Sequence, residues 1–231
     1  MVALLTTLDG SLTLESDRYG ETYRSRHGAL TEARHVFLGA SGVASLLRER
    51  GHANVLEVGF GTGLNFLVTA AAAVAAGASL GYAAVEREPL PADVLRGLRY
   101  EELLAPSPLP AELAAWVEGL GLPLARGTYR FASGRVRLEL TVGEAREAVA
   151  GLAGGFDAVY LDPFSPRANP DAWEEGFLAR LVGALGPGGR LVSYSVSGEV
   201  RRRLAAAGAL VRKEPGPPGG KRESLVAERP S

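Results

Sequence analysis

The chain has 231 residues, long enough for one large α/β domain with its own core and short for two, and its 46% hydrophobic and 22% charged residues, mean hydropathy of +0.06 and formal net charge of −1 are ordinary for a globular protein. The absence of cysteine excludes disulfides, thiolate metal sites and cysteine nucleophiles, and the scattered His27, His35 and His52 argue against a histidine-rich metal centre. Met1-Val2-Ala3-Leu4-Leu5 lacks the basic flank and long apolar run of a signal peptide, and the longest apolar stretch, Phe66 to Gly77, is too short to span a bilayer, so a cytoplasmic location is expected.

In chain order, Ala3 to Leu8 and Leu12 to Leu14 around Asp9-Gly10 predict a β-hairpin. The polar, aromatic and basic run Tyr19 to His27 follows. Helical patterning then runs from Leu30 to Arg50, with Ser41 as a cap between two pieces. Residues 1–50 are read as an N-terminal extension, and 51–231 as the main domain. Strand–helix alternation begins there: a strand at Asn54 to Val58, a helix at Gly63 to Ala76, a strand at Leu80 to Glu86. Proline-punctuated helical fragments over 89–122 read as a lid-like insertion. A hairpin follows, Gly127 to Phe131 and Arg135 to Val142, turning at Ser133-Gly134. The remaining elements are a helix (Glu144 to Leu152), a strand (Asp157 to Leu161), a helix (Pro170 to Leu185), a Gly186-to-Gly189 turn and a strand (Arg190 to Tyr194). A last helix (Glu199 to Ala207) and two strands (Ala209 to Glu214, Glu223 to Glu228) close the chain. This alternation implies a mainly parallel sheet covered on both faces.

Three segments carry chemistry. In Val55-Leu56-Glu57-Val58-Gly59-Phe60-Gly61-Thr62-Gly63-Leu64-Asn65 a strand enters a glycine-rich turn and a helix leaves it, a geometry that aims free amides at a ligand. The spacing is GxGxG, with Leu64 where a dinucleotide fingerprint has its last glycine, which favours a nucleoside with an amino-acid tail over a pyrophosphate. Glu57 is placed to hold the ammonium of that tail, directly or through water. A tight turn made for packing fits the glycines alone equally well. Glu86, at the next strand end, is placed to accept from ribose hydroxyls, and Glu144 with Ala145, after a third strand, to meet the adenine edge. An exposed strand-end acid and a first-turn helix acid are the plainer readings of these two. In Asp157-Ala158-Val159-Tyr160-Leu161-Asp162-Pro163-Phe164-Ser165-Pro166 a buried strand ends in an acid, a proline and an aromatic. The segment resembles the Asp/Asn-Pro-Pro-aromatic motif of methyltransferases acting on amino groups, with one proline absent. Asp162 and the Pro163 carbonyl supply acceptors for an amine, and Phe164 a face for a planar base.

Together these segments resemble the methyltransferase domain of the MnmC family of tRNA wobble-uridine modification enzymes. The most particular pieces are Gly28-Ala29-Leu30-Thr31-Glu32-Ala33-Arg34-His35-Val36-Phe37-Leu38, the loop-to-helix string Gly59 to Leu67, Leu161 to Pro170 with Trp173 following, Val200-Arg201-Arg202, and Gly220-Lys221-Arg222-Glu223. The resemblance implies a class I, Rossmann-like α/β fold with a seven-stranded sheet whose last strand is antiparallel. It implies S-adenosyl-L-methionine as cofactor, held around Glu57, Gly59, Phe60, Gly61, Thr62, Gly63, Asn65, Phe66, Glu86, Glu144, Ala145 and Asp162; the residue counts above already argue against a metal. It also implies transfer of a methyl group to 5-aminomethyluridine in the tRNA anticodon region, with Asp162 orienting or deprotonating the amine beside Phe164. Gly143-Glu144-Ala145 departs from the family's usual Gly-Asp-Ala, and Asp-Pro-Phe-Ser-Pro from Asp-Gly-Phe-Ala-Pro. No room remains here for the flavin-dependent oxidase domain of the fused form, so a stand-alone enzyme is expected.

Candidate phosphate contacts are Arg24, Arg26, His27, Arg201 to Arg203, Lys213, Lys221 and Arg222. Tyr23, Phe164 and Trp173 are candidates to stack a base, although Asn169-Pro170-Asp171-Ala172-Trp173 also reads as a cap, a helix-starting proline and a packed tryptophan. The triple arginine reads equally as a solvated helix face. Two rivals stand beside this reading: another amine transferase on the same fold, such as an aminopropyltransferase, and a non-catalytic nucleotide- or RNA-binding module. The first needs a second acid after Asp162, and Pro163 to Pro166 contain none.

Overall fold

The computed structural model describes residues 3–231; Met1 and Val2, which open both the extension and the stretch read for a signal peptide, lie outside the described residues. The N-terminal elements are β1 (Ala3–Thr6), β2 (Leu12–Ser16), β3 (Glu21–Thr22), α1 (Ala29–Glu32), a π-helical stretch (Ala33–Gly39) and α2 (Val43–Arg50). Then come β4 (His52–Val58), α3 (Leu64–Ala75), β5 (Ser79–Glu86), α4 (Ala92–Gly97), α5 (Tyr100–Leu103), α6 (Leu109–Leu120), β6 (Gly127–Ser133) and β7 (Val136–Val142). The chain ends with α7 (Ala145–Ala150), β8 (Phe156–Leu161), a 3-10 turn (Pro170–Trp173), α8 (Glu175–Ala184), β9 (Leu185–Ser193), α9 (Gly198–Ala206), β10 (Leu210–Pro215) and β11 (Glu223–Glu228).

The main sheet runs β10-β11-β9-β8-β4-β5-β7-β6. Strands β9, β8, β4, β5 and β7 are parallel, and β11 enters antiparallel beside β9, as the resemblance implies. The sheet has eight strands rather than seven because β6 pairs antiparallel with β7 and extends the edge. The central strands read as apolar runs because both faces are covered. Val55, Tyr82, Leu138 and Tyr160 face the core under α3, the π-helical stretch and α6. Their neighbours Leu56, Val85, Val159 and Leu161 face a second core with Phe177, Leu181 and Leu204, as the two-residue period of a strand dictates. Register aligns Val58 with both Val85 and Leu161, and Glu86 with Val142. Gly59, Glu86, Glu144 and Asp162 therefore emerge along one edge of the sheet, the edge where open parallel sheets bind ligands.

Three segments depart from the sequence reading. Gly186 to Gly189 does not precede a strand but lies within β9, where pairing jumps from Phe156↔Leu185 to Ala158↔Arg190 and the glycine-rich piece bulges out. The helix expected from Pro170 breaks at Glu174, whose extended backbone (ψ 148°) separates the 3-10 turn from α8. Helices α4 to α6 do not form a lid. Leu109, Leu113 and Val117 are buried, the Trp116 ring lies 5.7 Å from Phe131, and Tyr100 donates to Thr62 Oγ1 at 3.0 Å, so the segment braces the glycine turn from behind. Among the described residues no helix is long and apolar enough to cross a membrane.

Candidate functional site

A cleft of about 760 Å³ opens at the C-terminal edge of the parallel strands, within the usual size of a small-molecule site. One wall carries Gly59, Gly61, Thr62 and Glu86, another Glu144 and Ala145, and the opposite wall Asp162, Pro163 and Phe164; the N-terminal extension closes it with Tyr19, Tyr23, Arg24 and Glu32.

The glycine turn and the acidic motif are built against each other. Gly59 has φ +88°, and a Cβ there would stand 2.8 Å from the Asp162 carbonyl oxygen and 3.1 Å from Pro163 Cα. Only glycine allows both the left-handed backbone and this approach. The Gly59 amide donates to the Val85 carbonyl and the Asp162 amide to the Val58 carbonyl, each at 3.0 Å, which pins three strand ends together. Glu86 is oriented by backbone amides: Gly61 donates to Oε2 at 2.8 Å, Arg87 and Glu88 to Oε1 at 2.8 and 2.9 Å. A carboxylate has about four acceptor positions, so one remains for a ligand hydroxyl. Burial pushes its pKa up, and these amide bonds oppose the shift.

Glu57 is fully buried and absent from the cleft lining. Asn65 Nδ2 donates to its Oε1 at 2.8 Å and the Tyr82 hydroxyl to its Oε2 at 2.9 Å. Direct capture of a ligand ammonium by Glu57 is thereby corrected: both oxygens are engaged inside the protein. Burial raises its pKa to about 7, against the opposing pull of Arg24. The Phe60, Asn65 and Phe66 side chains are likewise buried, the two rings 6.1 Å apart, and none of the three lines the cleft; nor does Gly63, which starts α3 against Phe60 and Leu113. They shape the turn from outside the cleft lining.

Asp162 Oδ2 accepts from Asn65 Nδ2 at 2.9 Å and from Arg24 Nη1, with its side chain 4% exposed. Burial pushes its pKa well up, Arg24 opposes, and Glu32 and Glu57 add to the rise. Arg24 is 2% exposed and spent on these carboxylates, which corrects its assignment as a phosphate contact. Phe164 stacks on Tyr19 at 4.1 Å and meets Tyr23 edge-on at 5.1 Å, so one face for a planar ligand is already lined by a residue the sequence reading missed. Burial, with Glu86 and Tyr19, pushes the Tyr23 hydroxyl up to about 12. The Pro163 carbonyl accepts from the Tyr194 hydroxyl at 2.8 Å. Glu144 pairs with Arg87 at 2.5 Å, and that bond holds its carboxyl below the usual range.

Trp173 is fully buried and donates through Nε1 to the Phe164 carbonyl at 2.8 Å. It is not a stacking surface; it supports the strand-end loop from the core side. Arg203 donates to the Trp173 carbonyl at 2.7 Å, and Arg201 lies on the same helix outside the cleft, as does exposed Arg222 in its loop. Lys213 pairs with Glu223 on the sheet edge. Of the predicted basic contacts, Arg26, His27 and Lys221 line the cleft beside the inward-turned Arg24, Arg26 paired with Glu15 and Lys221 lying 4.4 Å above the Tyr194 ring. Tyr194 directly follows the parallel strand β9 and was within reach of the rule that found Asp162. Tyr19, Glu21 and Glu32 come from the extension, where no sequence pattern places them; Glu21 takes both the amide (3.0 Å) and the hydroxyl (2.5 Å) of Ser165.

A family model described as S-adenosyl-L-methionine-dependent methyltransferase matches residues 114–230. The chain belongs to this family. Among curated proteins, the methyltransferase is 42% identical over 209 residues to the tRNA 5-methylaminomethyl-2-thiouridine biosynthesis bifunctional protein MnmC of Aromatoleum aromaticum, covering 87% of this chain and 32% of that one. A protein of the same name from Pseudomonas aeruginosa strain UCBPP-PA14 is 40% identical over 221 residues, covering 91% and 32%. The chain thus spans about a third of the length of the curated relatives it matches. Among solved structures, MNMC2 from Aquifex aeolicus superposes with a TM-score of 0.80 at 28% identity, covering all of this chain and 72% of that one.

Proposed function

We propose that this methyltransferase moves a methyl group from S-adenosyl-L-methionine to the exocyclic amine of 5-aminomethyluridine at the tRNA wobble position, giving 5-methylaminomethyluridine. The observation that carries the reading is the single cleft joining the glycine turn and Glu86 to Asp162, Pro163 and Phe164. The similarity to MnmC proteins over most of the chain supplies the substrate class.

The residues present fit the cofactor. Gly59 and Gly61 stand on the cleft wall with their amides engaged by the Val85 carbonyl and Glu86 Oε2, Glu86 retains an acceptor for a ribose hydroxyl, and Glu32, Glu86, Glu144 and Asp162 bring carboxyl groups to the cleft, which suits a sulfonium with an ammonium tail. When bound, it supplies a methyl group on a positively charged sulfur.

Asp162 is the catalytic residue of this reading. An alkylammonium must lose a proton before nitrogen can attack, and a carboxyl raised by burial is better matched to take that proton near neutral pH. Asp162 Oδ1 accepts no bond from the described residues and is free to receive it, while Oδ2 stays anchored. Phe164, braced by Trp173 and Tyr19, flanks the base, and Lys221 and Arg26 stand at the mouth for phosphates. Catalysis is mostly positioning, with in-line displacement and no covalent enzyme intermediate.

The test supplies labelled S-adenosyl-L-methionine and tRNA carrying 5-aminomethyluridine, followed by nucleoside mass analysis. Label is expected in 5-methylaminomethyluridine and lost in Asp162→Ala. Label only in small amines would refute the tRNA substrate.

A further inference from the structure

Arg26, Arg87 and Arg146 line the cleft with side chains 35% or more exposed, whereas Arg24 turns its charge wholly inward. Its Nη1 donates to Asn65 Oδ1 at 3.0 Å and to Asp162 Oδ2, and its Nη2 lies 3.8 Å from Glu57 Oε1. Asn65 in turn donates to both carboxylates, to Glu57 at 2.8 Å and Asp162 at 2.9 Å. Glu32, also buried, completes a group in which one guanidinium faces three carboxyl groups.

We propose that Arg24 is a positioning residue for methyl transfer: with Asn65 it clamps Asp162 Oδ2 beside Glu57, leaving Oδ1 to meet the substrate amine. The inference rests on the amine-methylating reading above and extends it to a residue of the N-terminal extension.

The physical case has two parts. A guanidinium presents donors in a rigid plane, so it fixes the rotation of a carboxylate as a single ammonium does not. It is also the counter-charge of the cluster: burial alone would lower the Arg24 pKa, and Asp162, Glu57 and Glu32 more than offset that. The groups acting on Asp162 from the elements packed around it are Arg24, Glu32, Glu57 and the Tyr194 hydroxyl, with Lys221 acting on Glu32. Without Arg24, three carboxyl groups would share this space, and Asp162 would hold its proton to higher pH.

The test follows the Asp162 carboxyl by carbon-13 NMR, and kcat and KM across pH, in the full chain and in Arg24→Gln and Arg24→Lys. In Arg24→Gln the Asp162 titration and the acidic limb of kcat are expected to move up by roughly 1–3 pH units. The kcat should fall on the order of 100-fold, with cofactor affinity unchanged. Arg24→Lys should restore the titration yet remain roughly tenfold low in kcat, because the planar fork is lost. An unmoved Asp162 titration, or a raised KM for tRNA with kcat intact, would overturn the proposal. If Arg24→Gln fails to fold, a wild-type kcat in Arg24→Lys overturns it alone. If the wild-type protein does not methylate the tRNA, the substrate reading falls while the NMR titration still decides the role of Arg24.

Discussion

Replacing Gly59 by alanine tests whether the glycine turn and the acidic motif are built as one unit. Two costs add at this position. The left-handed backbone, φ +88°, costs a residue with a Cβ about 1–2 kcal/mol. The new methyl group would also stand 2.8 Å from the Asp162 carbonyl oxygen, 3.0 Å from its carbonyl carbon and 3.1 Å from Pro163 Cα. All three are backbone atoms of a strand end tied to Val58 by a hydrogen bond, so none can rotate away. Overpacking of this kind costs a further ~1–3 kcal/mol. Gly77→Ala is the control: Gly77 has φ +63° and nothing within 4 Å of its Cβ position, so it carries the backbone cost alone. The entropy that alanine removes from the unfolded chain is common to both variants and cancels. Urea unfolding at neutral pH should therefore show Gly59→Ala about 1–3 kcal/mol less stable than Gly77→Ala. Turnover should fall on the order of 100-fold in the first and stay near wild type in the second, because the methyl group pushes Asp162 away from the turn. Equal unfolding midpoints for the two variants would refute the close approach on which the site's geometry rests.

Glu57→Gln should reveal the raised carboxyl pKa: with a folded value of about 7 against the ordinary 4.5, its contribution to stability is fully present below 4.5 and lost as pH rises through 7. Relative to Glu57→Gln, the wild-type protein should thus lose about 3 kcal/mol between pH 4.5 and pH 8, measured by denaturant titration at each pH; a pH-independent difference would contradict it. Trp173→Phe removes the 2.8 Å bond to the Phe164 carbonyl and should cost about 1–3 kcal/mol in the same assay, with kcat falling more than cofactor affinity as Phe164 loses its support. Lys221→Ala should raise KM for tRNA and flatten the dependence of log affinity on log salt by about one unit, with calorimetry showing unchanged cofactor binding.

Much of the cleft was legible because parallel strands covered on both faces read as apolar runs, and the residues after them must gather on one edge. That rule places Gly59, Glu86, Glu144 and Asp162 together, and the strand register brings them to one edge. It could not separate a residue that faces the ligand from one that faces the core. Glu57 and Phe66 sit beside the turn in sequence yet are buried, and Trp173 follows the acidic motif yet packs behind it. The extra strand β6 was visible as half of a hairpin, but its joining the main sheet depends on which edge was open.

Composition, spacing and strand periodicity determined the α/β class, the glycine turn and the line of strand-end acids, because these follow from local backbone preference and from burial on two faces. Only the tertiary structure decided where Arg24 sits. In the string Tyr23-Arg24-Ser25-Arg26 two arginines look alike, yet one is sealed against Asp162 and the other stands in water beside Glu15. The difference is dielectric: a charge goes inward only where carboxylates already wait, and two of these, Glu57 and Asp162, stand at the ends of β4 and β8, far along the chain.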